Sequence, residues 1–277
     1  MGSPRFDLTD KVAIVTGAGR GIGRAVSLAF AQAGADLVAA ARTLSEIEET
    51  AEMVRDEGRK AIAVPTNVRS VDQVTDLLHT TLDAFGRVDI LVNCAGGIPD
   101  DITPVFDRYV LNTSPEEWMA EIDLNLNSIF YCCKIIGGTM VKRRKGSIIN
   151  ISSGMGLGAF PGGAAPSVAK AGVIHFTKTL ALEWAPFNVR VNCLAPGFTD
   201  TPLTAKGWEV HPESRKAALK NIGLGRFATP EEMASVVAFL ASPAASFITG
   251  ETIFASGGQL SMVPPGWTTD YWKKEKR

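Results

Sequence analysis

Thr16-Gly17-Ala18-Gly19-Arg20-Gly21-Ile22-Gly23 joins an apolar run, Lys11 to Thr16, to a segment from Gly21 to Ala33 with Ile22, Val26, Ala29, Phe30 and Ala33 on one helical face. The order is therefore strand, glycine-rich turn, helix. Without Cβ atoms, Gly17, Gly19, Gly21 and Gly23 let backbone N–H groups approach a pyrophosphate, and the N-terminus of the following helix attracts the same anion. A glycine triplet alone fits any tight βα turn. Flanked by a strand and a helix near the start of a chain, it predicts a dinucleotide site that also includes Arg20 and Ile22.

The same alternation continues to the far end. Strands are expected at Asp36–Ala41, Ala61–Val68, Val88–Cys94, Ser147–Ser152, Val189–Leu194 and Thr252–Ala255. Helices are expected between them: Ser45–Asp56 with Gly58 as its stop, Ser70–Phe85, Ser114 to about Val141, Pro166–Trp184, and Thr229 to Leu240. Ser114-Pro115-Glu116-Glu117 and Thr229-Pro230-Glu231-Glu232 each combine a capping residue, a first-turn proline and a capping-box glutamate. Short apolar strands alternating with amphipathic helices define an α/β chain: a Rossmann-type doubly wound parallel sheet, three layers α/β/α, in a single domain over residues 1–277. Ligands of such sheets bind beyond the carboxyl ends of the strands.

Composition narrows the function classes. The chain has 277 residues, 45% hydrophobic and 21% charged, with a formal net charge of −1, so it has no general attraction for nucleic acid or an anionic membrane. No apolar run reaches the ~18 residues that span a bilayer, and Met1-Gly2-Ser3-Pro4-Arg5 lacks the apolar region of a signal peptide. Cys94, Cys132, Cys133 and Cys193 show no C-x-x-C spacing and read as free thiols of a cytoplasmic protein, with no metal site. The basic end, Lys273-Lys274-Glu275-Lys276-Arg277, reads as a solvated terminus.

Taken together, the motifs resemble those of the short-chain dehydrogenase/reductase family. The spacing T-G-x-x-x-G-x-G over Thr16–Gly23 is that family's, and Asn93-Cys94-Ala95-Gly96 is similar to its N-N-A-G, with cysteine as the second residue. Asn125, Ser152-Ser153, Lys170 and Pro196-Gly197, with Thr201 and Thr204 beyond, follow in the family's order over about residues 8–258. The resemblance implies a nicotinamide dinucleotide, a small-molecule substrate, and a homotetramer or dimer. It places Asn93, Ala95, Gly96, Lys170, Pro196, Gly197 and Thr201 at the cofactor, with Asn67-Val68 as the adenine-contacting pair. NAD-dependent members carry an acid after the second strand. Here Ala41 and Arg42 stand there, and an arginine attracts a 2′-phosphate, so NADP(H) is favoured with NAD(H) as the alternative.

In that family a tyrosine moves the proton, a lysine lowers the tyrosine's pKa, a serine holds the substrate oxygen and an asparagine maintains a water-linked proton path. Lys170 and Asn125 fit their parts, and Ser153 rather than Ser152 lies thirteen residues before position 166, the family's spacing. Position 166, four before Lys170, is proline. Three readings follow: a conjugated enoyl substrate protonated at carbon, as in dienoyl-CoA reductases; another donor, for which Tyr109 in the long segment Gly97–Thr113 is the candidate; or a scaffold that no longer performs redox chemistry. Residues of about 199–227, with Trp208 and His211, resemble a substrate lid, and an aromatic tail covers about 259–277.

Overall fold

The computed structural model describes residues 6–99, 109–210 and 212–259. Seven parallel strands form one sheet, β1 (Val12–Thr16), β2 (Asp36–Ala41), β3 (Ala61–Pro65), β4 (Ile90–Asn93), β5 (Gly146–Ile151), β6 (Val189–Pro196) and β7 (Thr252–Ala255), in the order β3-β2-β1-β4-β5-β6-β7. Strand side chains alternate between the two faces. Ala13, Val15, Leu37, Ala39, Ile90 and Val92 join the core under α1 (Gly21–Gln32), α2 (Leu44–Asp56) and α10 (Pro230–Ala241). Ile14, Val38, Ala40, Leu91 and Ile148 join a second core under α3 (Val71–Phe85), α5 (Ser128–Cys132) and α7 (Ala164–Trp184). Burial on both faces explains why these strands read as unbroken apolar runs.

The expected capping boxes are both formed. Ser114 and Glu117 cap α4 (Pro115–Ile122), and Thr229 and Glu232 cap α10. The long helix expected after Ser114 continues through α5 to α6 (Gly138–Arg143), but two π-helical turns, Asp123–Asn127 and Cys133–Gly137, interrupt it. The segment expected as a lid holds two helices, α8 (Pro202–Val210) and α9 (Pro212–Lys220), with a small cluster of Phe198, Trp208, Ala218, Leu219, Ile222 and Phe227. His211 and the aromatic tail beyond Gln259 lie outside the described residues.

At the amino end of the sheet Asp89 is buried and binds Arg87 at 2.9 Å, Arg143 at 2.9 Å and the Val12 N–H at 3.1 Å. Burial raises its pKa, but the bonds from Arg143, Val12 and Arg87 outweigh burial and hold it below the ordinary carboxylate value. A depressed carboxyl pKa contributes stability above its unfolded value, roughly pH 4, that is lost as pH falls through the folded value. Asp89→Asn is expected to cost about 1–3 kcal/mol at neutral pH. It should also flatten the acid limb of the stability curve, as read by denaturant unfolding at several pH values.

Candidate active site

β1 lies between β2 and β4, so chain connections leave in opposite directions from the carboxyl ends of β1 and β4. The glycine-rich turn closes at this point. Gly17 and Gly21 adopt φ of 69° and 55°, in the left-handed region. A Cβ on Gly23 would stand 2.1 Å from the Gly17 carbonyl oxygen, and one on Gly17 would stand 2.8 Å from the Ala95 nitrogen. Backbone thus packs on backbone across the turn and against the loop after β4. Thr16 ties the two strand ends: its hydroxyl donates to Val92 O and accepts from the N–H groups of Cys94 and Ala95 at 3.1 and 3.2 Å. Sequence reading counted this threonine in the motif but gave it no role of its own, although a hydroxyl at the last residue of β1 is the available signal.

No acid stands in the first turn of α1, and the exposed Arg20 precedes it, 3.6 Å from Glu46. Arg42 is exposed after Ala41 at the end of β2. Beyond β3, Asn67 accepts from the Arg69 N–H at 3.1 Å and Val68 is buried. Thr201, at the foot of α8, packs across Gly21, its Cγ2 3.4 Å from where a Cβ would stand. A Cβ on Gly197, just beyond β6, would lie 2.7 Å from Ser256 Cα. Asn93 differs in direction. Its side chain points into the core, donating to Asn150 Oδ1 at 2.9 Å, so only its backbone faces outward.

At the mouth of β4 and β5 the side chains of Asn125 and Lys170 both approach Gly96. The π-turn presents Asn125, which is buried, and its amide clasps Gly97 by accepting from the N–H at 3.0 Å and donating to the carbonyl at 2.9 Å. Such π-turns recur at functional sites. Lys170, on α7, donates to Ile151 O at 3.1 Å, and the Ser152 hydroxyl donates to Lys170 O at 2.8 Å. A Cβ added to Gly96 would stand 3.0 Å from Asn125 Oδ1 and 3.3 Å from Lys170 Nζ, so both groups occupy the space that a side chain there would need. Ser153 follows β5 in extended backbone, and its Oγ accepts from Met155 N–H at 3.2 Å, leaving its own hydrogen available. Burial pushes Lys170 below the ordinary lysine value, against the opposing influence of Cys94, Cys193 and Glu121.

Pro166 is the third residue of α7, two places further into the helix than the sequence suggests. A helix's first four N–H groups have no intrahelical acceptor, so proline costs little there. One turn separates it from Lys170, which puts both on one helix face. Tyr109 is more than half exposed, and its carbonyl accepts a bond from the Thr113 hydroxyl. Glu121, absent from the sequence reading, is completely buried and accepts from Asn125 Nδ2 at 2.8 Å. Its place one turn before Asn125 is the only sequence signal for it.

A glycine-lined turn at the switch point of a parallel sheet, with a lysine, an asparagine and a serine beyond the neighbouring strands, defines the dinucleotide-dependent oxidoreductase class. The chain belongs to the short-chain dehydrogenase/reductase family: residues 17–259 match the family described as enoyl-(acyl carrier protein) reductase. It is 44% identical over 256 residues to the 3-oxoacyl-[acyl-carrier-protein] reductase of Synechocystis, with 91% of this chain and 98% of that protein covered. It is 39% identical over 251 residues to the corresponding reductase of Thermotoga maritima, at 91% and 98% coverage. Among solved structures, a short-chain type dehydrogenase/reductase from Mycobacterium marinum superposes with a TM-score of 0.83 at 33% identity, covering 92% of this chain and 97% of that one. An Agrobacterium tumefaciens protein described as a candidate 2-deoxy-d-gluconate 3-dehydrogenase, solved with bound NADP, gives 0.84 at 30% identity, covering 94% and 100%.

Proposed function

We propose that this chain is an NADP(H)-dependent oxidoreductase acting on a carbonyl or conjugated enoyl group of a small acyl substrate, and that Pro166 occupies the place of the family's tyrosine. The observation that carries the reading is the approach of Asn125 Oδ1 and Lys170 Nζ to the same face of Gly96, 3.0 and 3.3 Å from its virtual Cβ. Acyl chemistry is taken from the acyl-carrier-protein reductases among the relatives.

The residues present fit a dinucleotide. Gly17 and Gly23 leave no room for a Cβ, so the turn is built of bare backbone. The N-terminus of α1 opens at Gly21 with no carboxylate in its first turn to repel a diphosphate. Arg20, Gly19 and Ile22 border it, and Arg42 would face a 2′-phosphate beside Thr43, whose side chain does not cap α2. Asn67 and Val68 would meet the adenine; Ala95, Gly96, Pro196, Gly197 and Thr201 would line the nicotinamide end. When bound, the cofactor supplies or accepts a hydride. Ser153 would orient the substrate oxygen, Asn125 would fix the β4 loop, and Lys170 would manage the proton. The helices over residues 199–227 form the lid. The reading extends to a cytoplasmic homo-oligomer, dimer or tetramer.

NADPH oxidation against ketones, 3-oxoacyl thioesters and enoyl thioesters tests the proposal. Turnover of at least one acceptor is expected, and tight NADPH binding without any turnover would overturn it in favour of a cofactor-binding scaffold. Cofactor choice has its own measurement. Arg42→Ala is expected to weaken NADPH about 10–100-fold, from the loss of one or two charge-assisted bonds, and to leave NADH little changed. Equal NADPH and NADH dissociation constants in the unmodified protein would rule out the phosphate contact.

A further inference from the structure

Ile151-Ser152-Ser153-Gly154-Met155-Gly156 leaves the carboxyl end of β5 with two adjacent serines and two glycines. Motif spacing assigns Ser153 to the substrate oxygen and leaves Ser152 without a part. We propose that Ser152, together with Gly156, is a positioning residue for this chemistry: the Ser152 hydroxyl and the bare backbone of Gly156 clasp the main chain of Lys170 and so set its separation from Ser153.

Hydrogen-bond demand argues for Ser152. It is 4% exposed, and a hydroxyl so buried needs a partner. Its Oγ donates to Lys170 O at 2.8 Å, while its backbone N–H donates to Leu194 O in β6 at 2.8 Å. Ser152 is thereby tied to the sheet on one side and to α7 on the other. Cys193, also in β6, is a further hydrogen-bonding neighbour of the hydroxyl, but a thiol is the weaker partner. A carbonyl inside a helix already accepts from the N–H four residues on, and its second lone pair remains. Forming α7 therefore does not require the bond from Ser152, whose effect is to fix where the helix lies against β5.

The same stretch meets Lys170 on both sides of Ser152. Ile151 O accepts from Lys170 Nζ at 3.1 Å. A Cβ on Gly156 would stand 2.6 Å from the Lys170 carbonyl carbon and 2.7 Å from its oxygen, so backbone lies directly on backbone. Gly156 N–H donates to Ser153 O at 2.9 Å, which closes the turn on Ser153. Ser153 therefore sits inside the segment that grips Lys170. Pro166 sharpens the need for this grip. Proline has no N–H to give, and the next residue, Ser167, donates to Gly163 O at 3.0 Å. Ser152 and Gly156 hold α7 one turn further on, at the residue whose amine the chemistry uses.

The geometric part can be read without turnover, and only the effect on rate rests on the reductase reading proposed above. The full chain, labelled with carbon-13 at lysine Cε and free of cofactor, provides the first measurement. Lys170→Arg identifies the Lys170 signal. In the wild type that signal should relax as a rigid group, unlike those of exposed lysines. Ser152→Ala is expected to shift it and to increase its motion, and Ser152→Thr, which keeps the hydroxyl, should recover both. In turnover, Ser152→Ala should lower kcat about 10–100-fold with KM changed less than about threefold, and Ser152→Thr should recover most of kcat.

A Lys170 as mobile in the wild type as an exposed lysine would overturn the inference, and that measurement needs no variant to fold. So would an unmoved Lys170 signal in folded Ser152→Ala, or a Ser152→Thr protein no better than Ser152→Ala. A rigid Lys170 that responds to Ser152→Ala in a protein that reduces no acceptor supports the clasp and defeats only the reductase reading.

Discussion

Replacing Pro166 by tyrosine is expected to raise ketone reduction roughly 10²–10⁴-fold, the usual worth of general acid assistance. The backbone accepts the change, because position 166 lies in the first turn of α7, where helical geometry does not require proline. A phenol there would share a helix face with Lys170, one turn away. An ammonium has three donors, of which Ile151 O takes one, so Lys170 retains donors for a neighbouring phenol. The gain should appear in kcat and should vanish when Lys170 is also replaced by alanine. Steady-state kinetics with NADPH and a panel of ketones measures both. A Pro166→Tyr protein that folds and binds NADPH but gains nothing would show that Ser153, Asn125 and Lys170 no longer form a carbonyl-reducing site.

Gly23→Ala is expected to abolish cofactor binding, with an affinity loss of at least ~100-fold. The new methyl would stand 2.1 Å from Gly17 O and 2.7 Å from its carbonyl carbon, both backbone atoms that have no side-chain freedom to yield. The turn must open, and with it the line of N–H groups aimed at the pyrophosphate. A stability loss of about 1–3 kcal/mol should accompany this, as for other overpacked positions. Gly19→Ala provides a milder contrast: its Cβ meets Glu46 Oε2 at 2.8 Å, which can rotate away, and Glu46 Cβ at 2.9 Å, which needs only a small shift of α2. Dissociation constants for NADPH and thermal unfolding of the two variants separate a backbone clash from a side-chain one. Equal, mild effects would refute the close-packed turn.

The strand and helix ends show where local reading stops being sufficient. β3 was expected to reach Val68 but ends at Pro65, opposite Ala41, the last residue of β2. A strand's length depends on the partner that supplies its ladder bonds, and that partner is remote in sequence. α7 begins at Ala164 because its first turn tolerates Pro166, although a proline read locally marks a helix start. The two π-turns leave no trace in the apolar spacing after Ser114. The first becomes explicable once Asn125 is seen gripping Gly97.

By itself the sequence determined the layered α/β architecture, the glycine-rich turn and both capping boxes, and it singled out Asn125, Ser153, Lys170 and Pro166 as candidates. Those features depend on local periodicity, on glycine's missing Cβ and on motif spacing, all of which are written along the chain. The tertiary structure alone decided that Asn93 turns inward, that Thr16 ties β1 to the loop after β4, and that Glu121 lies buried against Asn125. Those facts concern direction and burial. They arise where separate elements meet, and local sequence carries no record of which side chains those elements bring together.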